Sequence, residues 1–411
     1  MSQESAFKDF LSNRFVRAIL LSGLFLQLGI WIRNFAVLLF VMEQTNEDPF
    51  AVSLISVAEY APIFIFSIIG GTFADRWRPK RTMVWCDILS SISVFAVLLT
   101  LVVGTWQVVF FAMLISSILS QFSQPSGMKL FKVHVPEAQL QMGMSIYQTM
   151  FALFMIIGPV IGTIIYGNFG ITISIAITGV MFLLSAFALM FLPADKVVEA
   201  SREKTTVIQE LVQGFKYVVS NRFLTILGAN FFVAGLAIGL IQPLGIFIVT
   251  QQLHMDKEFL QWFMAVNGVA MIIGGGIALA VSKKISPIRM LAAGMIINAL
   301  MISIIGFSNI LWLSIAAQFF CGLMMPAIQI SINTMILTNA EEAFVGRVNG
   351  IMTPLFMGAM VIMMGLAGVL KQLFGLTISY QISAIFMLLG VLLVMPLVLN
   401  KPAKKQVKVD I

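Results

Sequence analysis

Charge is scarce in this chain. Only 10% of its 411 residues are Asp, Glu, Lys or Arg, where soluble domains carry roughly 25%. With 59% of residues hydrophobic and a mean hydropathy of +0.99, a soluble globular protein is excluded. Cysteine is scarcer still. Cys86 and Cys321 lie far apart in apolar segments, which points to small packing residues and against a structural disulfide. The two histidines, His134 and His254, fall in predicted loops and make no metal site. No G-x-x-x-x-G-K-[ST] loop occurs, so ATP hydrolysis is excluded as the driving force. H-E-x-x-H and G-x-S-x-G are also absent, and the few charges inside apolar runs form no acid–base pair on one helix. An embedded enzyme is thereby disfavoured. The net charge of +7 does not signal nucleic acid, because the cations fall between apolar runs and no basic domain holds them. The polar start, "MSQESAFKDFLSNRF", predicts no cleavable signal peptide.

What the chain has instead is apolar length. Twelve predicted spans cover 15–43, 51–74, 82–103, 105–126, 143–166, 170–193, 222–251, 259–281, 287–306, 309–337, 346–370 and 376–399. A helix needs about 20 residues to cross ~30 Å of hydrocarbon, and each segment qualifies. The expected class is an all-α integral membrane protein. With the N-terminus in the cytoplasm, 22 of the 25 Lys and Arg residues fall on the cytoplasmic side, leaving Lys257 and Lys371 outside and Arg33 within a span. That asymmetry follows the positive-inside rule and puts both termini in the cytoplasm.

The longest connection, 194–221, carries Val207, Ile208, Leu211, Val212, Phe215 and Val219 at helical spacing. This predicts an amphipathic helix on the cytoplasmic face; a merely solvated linker is the alternative. The chain then divides into a six-helix bundle (1–193), this linker (194–221) and a second six-helix bundle with its tail (222–411). A repeat agrees: "FGITIS" at 169–174 recurs as "FGLTIS" at 374–379, 205 residues on. Each copy precedes the last span of its half, as in two bundles related by an axis along the membrane normal.

One stretch breaks the apolar pattern. "GGTFADRWRPKRTM", 70–83, gathers Asp75, Arg76, Arg78, Lys80 and Arg81 in the turn between spans two and three. Its G-x-x-x-D-R-x-x-x-[RK]-[RK] pattern resembles motif A of the major facilitator superfamily, matching at Gly71, Asp75, Arg76, Lys80 and Arg81. Arg78 replaces the family's usual second glycine. The resemblance implies a gate on the cytoplasmic side that holds the outward-facing state closed. In the second half, "ALAVSKKISPIR" at 278–289 has Lys283 where the aspartate would stand. Purely topogenic cations are the alternative, though they leave the Gly–Asp spacing unexplained. Asp87, early in span three and within reach of Arg76 or Arg81, is expected in the same gate network, with a substrate role as the alternative.

"GPVIGT" at 158–163 is similar to the core of the superfamily's antiporter motif, at Gly158, Pro159 and Gly162, with Phe154 in place of the upstream glycine. The resemblance implies export; a structural kink alone is the alternative. Span four lacks the arginine of many proton-coupled drug exporters. "FKYVVSNRFLTIL" and "VGRVNGI" look more like the macrolide-efflux and siderophore-exporter branch.

Arg33 and Glu59 are ionisable groups inside spans one and two, which cost at least ~2.5–3.5 kcal/mol to insert. Each is expected roughly 12–14 Å below the outer surface, close enough for an ion pair between antiparallel neighbours. Glu59 would take a proton when facing outward and re-pair with Arg33 on losing it. A static pair stitching two helices, or side chains that face apart, are the alternatives. Uncharged polar residues, among them Asn34, Gln148, Asn230, Gln242, Gln329 and Asn333, are expected to line a central cavity. Methionines at 324–364 suit an adaptable apolar surface or ordinary helix packing.

The resemblance to the superfamily implies a secondary transporter that rocks its two halves about a midplane cavity. The expectation is a proton-coupled exporter of hydrophobic or amphipathic compounds, of the multidrug or macrolide type, monomeric in a bacterial cell membrane. It would need no cofactor, the proton gradient supplying the energy, and would bind no nucleic acid. Export of a siderophore or lipid, or import of a nutrient, is the alternative on the same fold. A non-transporting sensor or scaffold is the alternative of another class.

Overall fold

The computed structural model describes residues 10, 13–102, 104, 106–135, 137–193 and 207–399. Side chains in several helical stretches, 67–76 and 131–134 among them, lie outside that description. With no water to bond the backbone in hydrocarbon, apolar runs of this length must close their hydrogen bonds internally, as helices. The long helices are α1 (Arg14–Gln44), α2 (Pro49–Arg76), α3 (Pro79–Val102), α4 (Val109–His134), α5 (Glu137–Met190) and α6 (Val207–Ser220). They continue as α7 (Arg222–Ile241), α8 (Leu260–Ser282), α9 (Pro287–Phe307), α10 (Leu311–Asn339), α11 (Val345–Phe374) and α12 (Leu376–Leu399). Starts are locally encoded. Pro49, Pro79 and Pro287 open helices where a missing N–H costs nothing. Asn13 and Asn221 cap α1 and α7 by accepting from Phe15 N and Phe223 N at 2.9 and 3.0 Å.

Eleven stretches among the described residues are long and apolar enough to cross a membrane, and the longest, Ser145–Met190, has 46 residues. It makes two passes. Gly170, at φ 70° and ψ −174°, interrupts the helical backbone. Before it, α5 runs with α1, since Gly158 and Gly162 meet Trp31 and Phe35 in the same order. After it, α5 runs against α1, pairing Thr178 with Gly29 and Ser185 with Ser22. Gly375, between α11 and α12, repeats the device at φ 85°. Ser174 and Ser379 then donate to the carbonyls of Gly170 and Gly375 at 2.7 and 2.9 Å. The FG-x-TIS repeat is thus a turn used twice, 205 residues apart.

Span seven departs from expectation. It was expected to run unbroken over 222–251, but α7 stops at Ile241. Pro243 lacks the N–H to continue it, and a turn, one helical turn at Gly245–Phe247 and a π-helical Ile248–Gln252 follow. Gln252 then donates to the carbonyls of Ile305, Gly306 and Ser308, capping the end of α9.

In the first half α1 and α3 pack on α5 and α2 packs on α4; in the second, α7 packs on α11 and α12, and α10 on α8 and α9. The halves meet along α2–α11 and α5–α8. Helix α6 defines one face of the molecule, called here the linker face. It lies on the start of α11, with the Tyr217 ring 4.3 Å from Phe344 and its hydroxyl accepting from Glu341 N at 3.0 Å. Val212, Phe215 and Val219 stay exposed along its other side. Residues 194–206 of the linker lie outside the described residues.

Candidate functional site

A cavity of about 110 Å³ lies inside the first half, and Arg33, Glu59 and Asp87 all line it. Three helices deliver these groups: α1, α2 and α3. Arg33 is buried, at 2% exposure. Arg33 and Glu59 form no direct ion pair, contrary to the sequence expectation. Asn34 stands between them: Arg33 Nε and Nη2 donate to its Oδ1 at 3.1 and 2.9 Å, and its Nδ2 donates to Glu59 Oε1 at 2.7 Å. Successive helical residues point about 100° apart, so the residue that faces α2 squarely is Asn34, with Arg33 turned aside. The amide passes the guanidinium's influence to the carboxylate while holding a neutral group between two ions. One carboxylate oxygen is engaged by this bond, and the group faces the cavity, where it can hold or release a proton.

The segment of α1 that carries these residues is seated by the glycines of "GPVIGT". A Cβ on Gly158 would lie 2.4 Å from the Trp31 ring. One on Gly162 would lie 2.8 Å from Phe35 Cβ and 2.9 Å from the Trp31 carbonyl. The missing side chains let Trp31 and Phe35 sink into α5 on either side of Arg33 and Asn34. Pro159 lies inside the helix between the two glycines. The geometric task of Gly158 and Gly162 is therefore close packing of α1.

Asp87 was expected in the gate network of the charged turn. It is instead buried in the cavity wall, at 2% exposure, and accepts from Ser185 Oγ at 2.6 Å. Ser22 lies 2.9 Å beyond Ser185. Eight residues of α3 separate Asp87 from Pro79, about 12 Å at ~1.5 Å per residue, which withdraws it from the surface where Arg81 is exposed. In the turn itself, Lys80 Nζ donates to the carbonyls of Met190 (3.1 Å) and Leu192, closing the end of α5 within its own half. The side chains of Asp75 and Arg76, and the surroundings of Gly71, lie outside the described residues.

The uncharged polar residues separate into two groups. Asn230 was expected to line the central cavity, and the structure corrects this. It is 1% exposed and donates to Gly390 O at 2.9 Å, so it joins α7 to α12 inside the second half. Gln148, Gln242, Gln329 and Asn333 are exposed. Gln148 lies on α5, the first-half helix that packs on α8, where Ile156 meets Gly268. Gln242 interacts with Tyr60 of α2 across the divide between the halves. Gln329 and Asn333 lie one turn apart on a single face of α10.

Sequence reasoning missed how the face opposite the linker is closed. Lys257 of the second half donates to Glu43, which also accepts from Tyr166 OH at 2.6 Å. Glu47 accepts from Gln251 Nε2 at 3.0 Å and Thr250 Oγ1 at 3.3 Å. Asp48 accepts from Gln372 Nε2 at 2.9 Å. Lys371 sits 4.1 Å over the Phe247 ring, within electrostatic reach of Glu47 and Asp48. Below this layer Gly368, Gly365 and Gly358 of α11 face Phe50, Val57 and Phe64 of α2. The two halves are thus in contact from this face inward past Glu59. The signal was available: Lys257 and Lys371 are the two cations assigned to this side, and Glu43, Glu47 and Asp48 crowd the end of span one and the short loop after it.

Known proteins resemble this chain over nearly its whole length. The profile of the Major Facilitator Superfamily matches residues 19–242 and again 227–410. The MFS-type transporter YkuC of Bacillus subtilis (strain 168) is 27% identical over 385 residues, spanning 90% of this chain and 89% of YkuC. The multidrug efflux pump Tap of Mycolicibacterium fortuitum is 25% identical over 363 residues, spanning 85% and 88%. The crystal structure of the nucleoside transporter NupG superposes with a TM-score of 0.75 at 13% identity, over 95% of this chain and all of that one (100%).

Proposed function

Because the chain belongs to the Major Facilitator Superfamily, we propose that this membrane transporter is a proton-coupled exporter of hydrophobic or amphipathic compounds. One observation carries the reading. Arg33, Asn34 and Glu59 form a hydrogen-bonded chain buried beside a cavity, at a depth where an ionisable group without a task is costly. The efflux named for the Tap relatives supports the direction of transport. NupG, at 13% identity, speaks to the fold alone.

In this reading Glu59 is the proton carrier and Arg33, acting through Asn34, sets its readiness to release. The units that rock are 1–193 and 222–411, joined by the linker 194–221. Gln148, Gln242, Gln329 and Asn333 provide hydrogen-bonding groups along the path between them. The Lys/Arg asymmetry assigns the linker face to the cytoplasm, so the closed layer around Glu43 and Lys257 is the outer gate. Gly71, Asp75, Arg76, Lys80 and Arg81 form the inner one. The protein works as a monomer in the bacterial plasma membrane, with the proton gradient as its energy source.

The test is proton movement in inverted membrane vesicles, comparing wild type with Glu59→Gln as lipophilic cations and macrolides are added. Substrate-driven proton release through wild type, lost in the variant, is the expected outcome. Equal responses from both would remove Glu59 from coupling. If neither responds to any compound, the exporter assignment falls and the transporter fold remains.

A further inference from the structure

We propose that the first-half cavity is a proton relay with two carboxylate stations, Glu59 and Asp87, connected by water, so that Asp87 is a second proton-carrying residue. The inference rests on the proton-coupled reading above and adds a route to it.

Both carboxylates line one enclosure of about 110 Å³. One water needs only about 10–15 Å³ of such space, so the cavity has room for several. The walls are polar enough to hold them. Arg33 Nη1 and Ser123 Oγ are buried there with no partner among the described residues. Groups so placed are satisfied by water in folded proteins. Ser116 and Ser120 spend their protons on the carbonyls of Ala112 and Ser117, at 2.8 Å each; the Ser116 oxygen is left as an acceptor, and the Ser120 oxygen, which takes one bond from Gln121 Nε2 at 3.1 Å, keeps one lone pair. Polar sites with two to four partners are where buried water orders.

The stations are reached from different sides. Glu59 is ten residues into α2 from the closed face, about 15 Å at ~1.5 Å per residue. Asp87 is eight residues into α3 from the linker face. Around Glu59 stand Arg33, Asn34 and Tyr60. Around Asp87 stand Ser185, Cys86 and Tyr147. No cation among these faces Asp87 as Arg33 faces Glu59. In the step, the Glu59 carboxyl gives its proton to the adjoining water, the water chain passes one proton on, and the Asp87 carboxylate receives it. Glu59 is left ionised beside Arg33, and Asp87 releases the proton toward the linker face. Charge and atoms balance with no further reactant.

The test needs no substrate. Protein reconstituted in liposomes is titrated while the infrared C=O stretch of protonated carboxyl groups is followed, in wild type, Glu59→Gln and Asp87→Asn. Asparagine keeps an acceptor for Ser185, so the helix contact survives. Each substitution is expected to remove one band, and Glu59→Gln to move the titration midpoint of the Asp87 band by about one pH unit, as for interacting sites. The double variant S117V/S120V keeps both carboxylates and dries the cavity wall; it should leave two bands that titrate independently. If Asp87→Asn removes no band while Glu59→Gln does, Asp87 is only an acceptor for Ser185. The relay is then overturned and the Glu59 reading stands. If the Asp87 band ignores Glu59→Gln, the two groups are not connected and the relay is again overturned. If neither substitution removes a band, both readings fail together. Should Asp87→Asn not assemble, Asp87→Ser reads the same band.

Discussion

Lys257, in the helical turn that leads into α8, donates to Glu43 of α1, so a charge from each half meets at the closed face. Glu43 is held from its own half as well, by the Tyr166 hydroxyl. The pair is partly exposed, with side chains 21% and 46% accessible for Lys257 and Glu43, and exposed pairs are worth only about 0.2–1 kcal/mol. Glu43→Gln should therefore change the balance of open and closed states by no more than about five-fold. A covalent tie is a sharper probe. With Cys86 and Cys321 replaced by alanine, the pair E43C/K257C, bridged by a bifunctional methanethiosulfonate reagent that spans the replaced side chains, should lose at least about ten-fold in transport, a barrier change of ~1.4 kcal/mol. Reductant should restore it. Unchanged transport in the cross-linked protein would mean that this face does not open during the cycle.

Asn34 is the hinge of the buried chain, accepting from Arg33 and donating to Glu59. Asn34→Leu removes all three of its hydrogen bonds to them and leaves two buried ionisable groups short of partners. Each such loss costs about 1–3 kcal/mol, so the melting temperature in detergent should fall clearly below wild type. Coupled proton release should fall with it, by about ten-fold or more on the same arithmetic. Asn34→Gln, which keeps the amide one methylene further out, should recover part of both. Full coupling in Asn34→Leu would show that Arg33 and Glu59 act without the bridge.

Gly158 and Gly162 have no room for a side chain. Alanine at 158 meets the rigid Trp31 ring, and at 162 it meets backbone as well, the Trp31 carbonyl. Overpacking of this kind costs about 1–3 kcal/mol. Gly162→Ala should be the worse, because a carbonyl cannot rotate away. Both variants should lose thermal stability in a fluorescence melt before they alter substrate preference. The contrast matters for the resemblance to the antiporter motif: here its glycines position Arg33 and Asn34, and their bearing on coupling runs through α1.

Much of the fold was legible because membrane burial writes a simple code. Runs of about 20 apolar residues must be helices, and the FG-x-TIS turns mark the last span of each half. Arg33, Glu59 and Asp87 were visible as charges out of place. Rotation about each helix axis was not visible, because a span that is apolar all round has no periodicity to orient it. That is why Asn34 appeared as a generic cavity residue and Asn230 as its equal, when one bridges two ions and the other stitches α7 to α12. The contacts from Glu43, Glu47 and Asp48 to Lys257, Gln251 and Gln372 bring together residues more than two hundred positions apart. The sequence puts these charges on one side, and the packing of the halves sets which of them meet.

The distinction between Asn230 and the exposed polar residues leads to an opposed pair of outcomes. Asn230 is 1% exposed, and its amide donates to Gly390 O at 2.9 Å while resting 3.3 Å from Met295 Sδ. Asn230→Ala strands the Gly390 carbonyl and opens a gap between α7, α9 and α12, at a cost of about 1–3 kcal/mol. Since it touches no open volume, KM should stay within about two-fold of wild type for any transported compound. Gln148, exposed on α5, the first-half helix that packs on α8, should behave in the opposite way. Gln148→Ala should leave the melting temperature within error and change KM or the ranking of compounds. The measurement is a melt and a concentration series on both variants. An Asn230→Ala protein with normal stability and altered KM would place the substrate path inside the second half, behind α7.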